Sequence, residues 1–249
     1  MKATRKLIPA FAMLLIAAVM MSTATFAWFS TNATVTADGM AITAKSDNIF
    51  ITISNTATNI EQNTAIEATA NPEVSGERLP AKAVASTDGL TWFTGVGKDA
   101  NNGEAKDELE NITEVSNIAE LYYVTTTFYI RSATGFPTAY DLKLSDIIVA
   151  KDEDADSLSV FAGAIAIALK TTDAEGNETY TVYSKNTNTA TYNYDQVIAE
   201  EVTSEGTITV EVYVFINGEH ENIKSALATA DNMTNMNITL KFTAGEDSN

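Results

Sequence analysis

Three features of this chain predict an all-β fold, a β-sandwich or jelly roll with one or two short helices, preceded by an N-terminal signal helix. Two segments, residues 208–216 and 236–242, alternate apolar and polar side chains almost without a break. Other segments rich in Thr, Val, Ile and Tyr are separated by turn-forming clusters, about eight or nine strands in all. The chain has only four prolines and no cysteine, so its core must hold an ordered domain without covalent staples.

The first 27 residues stand apart from the rest. Lys2, Arg5 and Lys6 make a basic start, residues 7–21 are apolar apart from Pro9, and small polar residues lead to Ala27. A basic end stays on the cytoplasmic side, an apolar middle enters lipid, and small residues at −3 and −1 fit a signal peptidase. Thr25 and Ala27 meet that last requirement, which places cleavage between Ala27 and Trp28. The alternative is a retained anchor, but the apolar run falls short of the roughly 20 residues a helix needs to cross a bilayer. Residues 1–27 are therefore read as a signal peptide and 28–249 as a single domain.

Residues 35–44 and 49–54 are strand candidates, separated by the polar cluster Lys45-Ser46-Asp47-Asn48. Residues 102–116 hold helix formers (Glu104, Ala105, Lys106, Glu108, Leu109) but a poor apolar stripe, and read as an exposed helix or loop. Residues 121–131 are apolar on both faces, as a central sandwich strand is. Residues 139–150 begin as an alternating strand. Residues 161–169 fit a helix or a buried strand equally well, because periodicity does not separate the two in a short apolar run. Residues 165–171 and 179–184 flank Asp173-Ala174-Glu175-Gly176-Asn177, a hairpin turn in composition.

In residues 208–216 the apolar positions are Ile208, Val210, Val212, Val214 and Ile216; in 236–242 they are Met236, Ile238, Leu240 and Phe242. Side chains of a strand alternate between faces, so each segment owns a core face. Between them, Ile223, Ala226, Leu227 and Ala230 have the spacing of an amphipathic helix over residues 219–230. The tail after Gly245 is polar and expected to fray. It carries no Leu-Pro-x-Thr-Gly signal, so covalent attachment to a cell wall is not expected.

The chain has 15 basic and 33 acidic residues, a formal charge of −18. Loss of Lys2, Arg5 and Lys6 makes the remainder more negative still. Such a surface repels phosphate backbones and anionic lipid, which argues against nucleic-acid partners and against membrane binding after processing. It also keeps copies apart at low salt, so association is expected to be favoured by salt, low pH or divalent cations.

Candidate sites for chemistry are few. Asp152, Asp154 and Asp156 open like a calcium loop, but the sixth position is Ser157 rather than Gly and the twelfth is Gly163 rather than Glu. A weak calcium-binding loop is the most this segment implies, and no other cofactor is expected. The chain's single histidine, His220, lies in Gly218-Glu219-His220-Glu221-Asn222 and reads as a solvated turn. Without a His-Glu-x-x-His or three evident ligands, zinc hydrolysis is not expected. No nucleophile elbow or phosphate loop is present. Trp92 and Phe93 form either a sugar-stacking platform or part of a core.

The residues around the cleavage site are more specific. Thr25-Phe26-Ala27-Trp28-Phe29-Ser30, followed by Ala33-Thr34-Val35-Thr36-Ala37-Asp38-Gly39-Met40-Ala41-Ile42, resembles the start of TasA and camelysin-like secreted proteins. The segment from Val212 through Asn217-Gly218-Glu219 to Leu240-Lys241-Phe242 is similar to the closing strands of exported relatives of that type. The likeness covers the chain up to about Asn55 and from about Glu205. It implies processing by a SipW-type signal peptidase, a jelly roll, and a non-enzymatic matrix-fibre subunit secreted to the surface of a Gram-positive bacterium, with other matrix proteins as further partners.

In such fibres the N-terminal strand of one subunit completes a neighbour's sheet. Here the exchanged segment would lie within residues 28–44 and carry Trp28, Phe29, Val35, Met40 and Ile42; pairing of residues 35–44 within their own domain is the equal alternative. Other readings are a monomeric surface adhesin or glycan-binding module on Trp92 and Phe93, and a camelysin-like metalloprotease using His220.

Overall fold

The computed structural model describes residues 40–58, 60, 63–72, 80–97, 109–114, 122–151, 159, 161–221, 223 and 236–246. They form thirteen strands: β1 (Ala41–Ser46), β2 (Ile51–Ser54), β3 (Glu67–Ala70), β4 (Lys82–Ser86), β5 (Gly89–Gly97), β6 (Leu109–Glu114), β7 (Tyr123–Ser132), β8 (Thr138–Lys151), β9 (Ile165–Thr172), β10 (Glu178–Tyr183), β11 (Val197–Thr203), β12 (Ile208–Ile216) and β13 (Met236–Gly245). All lie in one compact unit, Asp38–Asn249. Among the described residues there is no α-helix; a 3-10 turn at Ala162–Ala164 leads into β9.

The first sheet has the order β11-β8-β13-β1-β3, the second β10-β9-β12-β7-β2, and a third holds β4-β5-β6. The two large sheets enclose one core. The first contributes Ile42, Leu142, Leu144, Ile238, Leu240 and Phe242; the second contributes Phe128, Ile130, Ile167, Val210, Val212 and Val214. From β7 onward the chain passes repeatedly from one sheet to the other. That winding makes an all-β sandwich.

Burial explains why each segment adopts its element. β12 lies between β7 and β9, and its five even-numbered apolar residues are all buried. β9 is buried on both faces: Ile165, Ile167 and Leu169 fill the main core, while Ala166 and Ala168 face the three-stranded sheet. The ambiguous stretch 161–169 is therefore a short turn followed by a strand. Its alanines are small because a third layer packs directly on them. The turn from β9 to β10 uses Gly176 at φ +89°, a conformation that glycine adopts without strain. The Asp173 carboxylate accepts bonds from the Asn177 side chain and the backbone N–H groups of Asn177 and Glu175. Those bonds, the Asn177 side chain's first, hold the Asp173 carboxyl below its ordinary value.

Several expectations change. The first strand runs over Ala41–Ser46, and residues before Met40 lie outside the described residues. Lys45 and Ser46, expected in the turn, belong to the strand because they pair with Lys241 and Phe242 of β13; the bend falls at residues 47–50. Leu109–Glu114 is a strand rather than a helix or loop: it pairs antiparallel with β5, and sheet pairing overrides the local helix preference of Leu and Glu. In the expected helix 219–230, residues 218–221 form a turn, and 222 and 224–230 lie outside the described residues.

Candidate functional site

β1 sits inside the first sheet. It pairs parallel with β13, with Ile42 opposite Ile238 and Ala44 opposite Leu240, and antiparallel with β3. Met40, Ile42 and Ala44 are fully buried in the main core. Met40 and Ile42, expected in the exchanged segment, thus fill the interior of their own domain. Each contributes roughly 1.5–3 kcal/mol by burial, so withdrawing them would open the sandwich. Trp28, Phe29 and Val35, the cleavage pair Ala27 and Trp28, and the acidic triplet Asp152, Asp154 and Asp156 all lie outside the described residues.

Sheet edges are the places where a further strand could be received, because an edge presents unpaired N–H and C=O groups. β2 is covered: Ile53 N–H donates to Ala65 O at 2.8 Å, and Asn63 Nδ2 donates to Ile53 O at 2.7 Å. β3 is only four residues long, and Asn55 Nδ2 donates to its Thr69 carbonyl at 2.7 Å. At β10, Gln196 Nε2 reaches Val182 O at 3.2 Å.

β11 differs. It has seven residues, pairs with β8 on one side, and is the terminal strand of its sheet among the described residues. Its register slips between Val197 and Ala199, a bulge that bends the edge. Beside it runs a groove of about 360 Å³ between β11 and the β9–β10 hairpin. Ile198 and Ile208, both nearly fully buried, make an apolar floor, and Asp173, Glu175, Glu200 and Glu201 supply carboxylates along the walls. A groove along a terminal strand, with an apolar floor and acidic walls, suits an extended segment that brings small apolar side chains and no excess negative charge.

Trp92 and Phe93 do not share a platform. Successive strand residues point to opposite faces, and the Trp92 ring lies beneath the three-stranded sheet. It is 7% exposed, with centroid distances of 5.0 Å to Phe215, 5.2 Å to Tyr123 and 6.2 Å to Tyr213. Ala81, Ala83, Ala166 and Ala168 complete this second core. The exposed sugar-stacking surface expected of the pair is therefore corrected: Trp92 is a packing residue, and only half-buried Phe93 reaches the other face.

His220 is also placed differently from the solvated turn expected of it. It is fully buried, in a turn whose Asn217 N–H donates to Ala164 O at 2.8 Å and whose Glu221 N–H donates to Asn186 O at 2.8 Å. Burial is the largest influence on the ring and lowers its pKa, with Lys185 adding to that; Glu221 and a backbone hydrogen bond with Thr187 act in the opposite sense. Among the described residues no three side chains of His, Cys, Asp or Glu are grouped to hold a metal.

β11 and its groove escaped the sequence reading because Glu200-Glu201 interrupts the alternation of Ile198 and Val202. The β-branched residues Val197, Ile198, Val202 and Thr203 are the local sign of a strand. No protein-family model, curated protein or solved structure matches this chain.

Proposed function

We propose that this chain is a secreted structural subunit that polymerises into a surface or matrix fibre. Export and cleavage between Ala27 and Trp28 by a SipW-type peptidase would free residues 28–39, and this segment would add to the β11 edge of a neighbouring copy. The carrying observation is the seven-residue strand that ends its sheet among the described residues, beside a groove floored by Ile198 and Ile208.

The composition of residues 28–39 supports the match. Asp38 is their only charged side chain, and Ala33, Val35 and Ala37 alternate with Thr34 and Thr36. A segment this neutral avoids the repulsion that most of an acidic chain would meet at the groove. The α-ammonium created at Trp28 by cleavage would be attracted to Glu200, Glu201 and Asp173. Burying Trp28, Phe29 and Val35 would stabilise the contact by roughly 1.5–3 kcal/mol per side chain, before ordering costs.

The absence of cysteine from the chain makes the test clean. A protein carrying both Val35→Cys and Glu200→Cys is assembled, oxidised and run on a non-reducing gel. Fibres with a ladder of cross-linked multimers are expected, together with no ladder when the second cysteine is Glu67→Cys on β3. A ladder from the β3 pair alone moves the acceptor to the other edge, and a parent protein that forms no fibres removes the reading altogether.

A further inference from the structure

The turn after β12 joins parts of the molecule distant in sequence. Asn217 is 2% exposed. Its Nδ2 donates to Lys185 O at 2.9 Å and to Asn186 Oδ1 at 3.1 Å, while its Oδ1 accepts from Glu219 N–H at 3.1 Å. Glu221 Oε1 accepts from Asn188 N–H at 2.6 Å. The same turn holds the three-stranded sheet. Gly218 N–H donates to Ala81 O and Ala81 N–H to Ile216 O, both at 2.9 Å. Lys82 Nζ meets Glu219 Oε1 at 2.6 Å.

His220 lies at the centre of this junction, with its N–H donating to Asn217 O at 3.1 Å and its carbonyl accepting from Ile223 N–H at 2.8 Å. The ring is packed against the 3-10 turn: its Cε1 stands 3.5 Å from the place a Cβ on Gly163 would occupy. We propose that His220 is an acid-sensitive catch: protonating its enclosed ring loosens the turn, releases the three-stranded sheet from the outer face of the second sheet, and uncovers Trp92, Tyr213 and Phe215. This inference is independent of the fibre reading.

Burying a charged imidazolium without water is unfavourable. The ionic groups around it only partly offset that. Glu221, in the same turn, favours the charged ring, and Lys185, in the loop after β10, opposes it. Lys82 and Glu219, where β4 meets the turn, are already paired to each other. The 3-10 turn, Ala162-Gly163-Ala164, contributes no ionisable side chain. Because the folded ring has its pKa lowered from 6.5, its neutral form contributes stability that is fully present above that value. The contribution is lost as pH falls through the folded value. No second histidine titrates in this window.

The test uses the full chain with Trp28→Phe, which leaves Trp92 as the only tryptophan. Acrylamide quenching of Trp92 is followed from pH 8 to pH 5, beside far-ultraviolet circular dichroism, with and without His220→Gln. The expected result is a quenching constant that at least doubles as pH falls, with the β-sheet signal kept and the glutamine protein flat. The NMR titration of the single imidazole should share the midpoint of the fluorescence change, a comparison that stands even if the glutamine protein does not fold. Equal responses in both proteins, an imidazole titrating at or above its ordinary value, or loss of the sheet signal together with the fluorescence change would each overturn the proposal.

Discussion

Trp92 and Ile42 show what individual side chains do here. Trp92 joins the second sheet to the three-stranded one through ring contacts with Phe215 and Tyr123. Trp92→Ala is expected to lower stability by about 3–5 kcal/mol, read as a shift of the urea midpoint; an unchanged midpoint would return the ring to the surface. Ile42→Ala removes a fully buried side chain from the first sheet and should cost about 2–5 kcal/mol, again read from the urea midpoint. Both residues looked different in the sequence for the same reason. Neighbours along the chain do not reveal which layer covers a given face. The alanines opposite Trp92 (Ala81, Ala83, Ala166 and Ala168) are the local trace of a covered face, but their small size also suits a helix. His220 was equally hidden: the carboxylates flanking it suggest solvent, whereas its burial comes from loops near residues 163 and 187.

At the scale of elements, β12 and β13 were legible because strict alternation leaves one register with the apolar set inside. β7, β8, β9 and β10 were legible within a few residues for related reasons. β3, β4, β5, β6 and β11 were not. β6 is defined by pairing with β5 rather than by local preference, and β11 carries adjacent glutamates at its exposed positions. Those glutamates give β11 its predicted behaviour as an edge. Carboxylates on an edge discourage unprogrammed pairing, so a protein carrying Glu200→Gln and Glu201→Gln should associate at lower salt than the parent, with less of the product as fibre because the Trp28 α-ammonium loses two of its carboxylate partners. Light scattering against sodium chloride concentration measures this. An unchanged salt requirement would mean that β11 does not meet a partner.

At the scale of the whole molecule, a strongly acidic chain carries a stretch, residues 28–39, with a single charged side chain, and a sandwich whose longest terminal strand among the described residues is β11. Three features of different scale fit together: the leader-like first 27 residues, the nearly uncharged stretch 28–39, and the acidic groove. In the proposed exchange β1 bounds the donor segment, since Met40, Ile42 and Ala44 belong to their own domain's core. A truncation must therefore stop before Met40 if it is to remove the proposed donor without opening the sandwich.

The most direct measurement is electron microscopy of two purified proteins at equal concentration and salt, one beginning at Trp28 and the other at Met40. Circular dichroism establishes that both are folded. The account predicts fibres from the first and dispersed particles from the second. Fibres of the same form from both would contradict it.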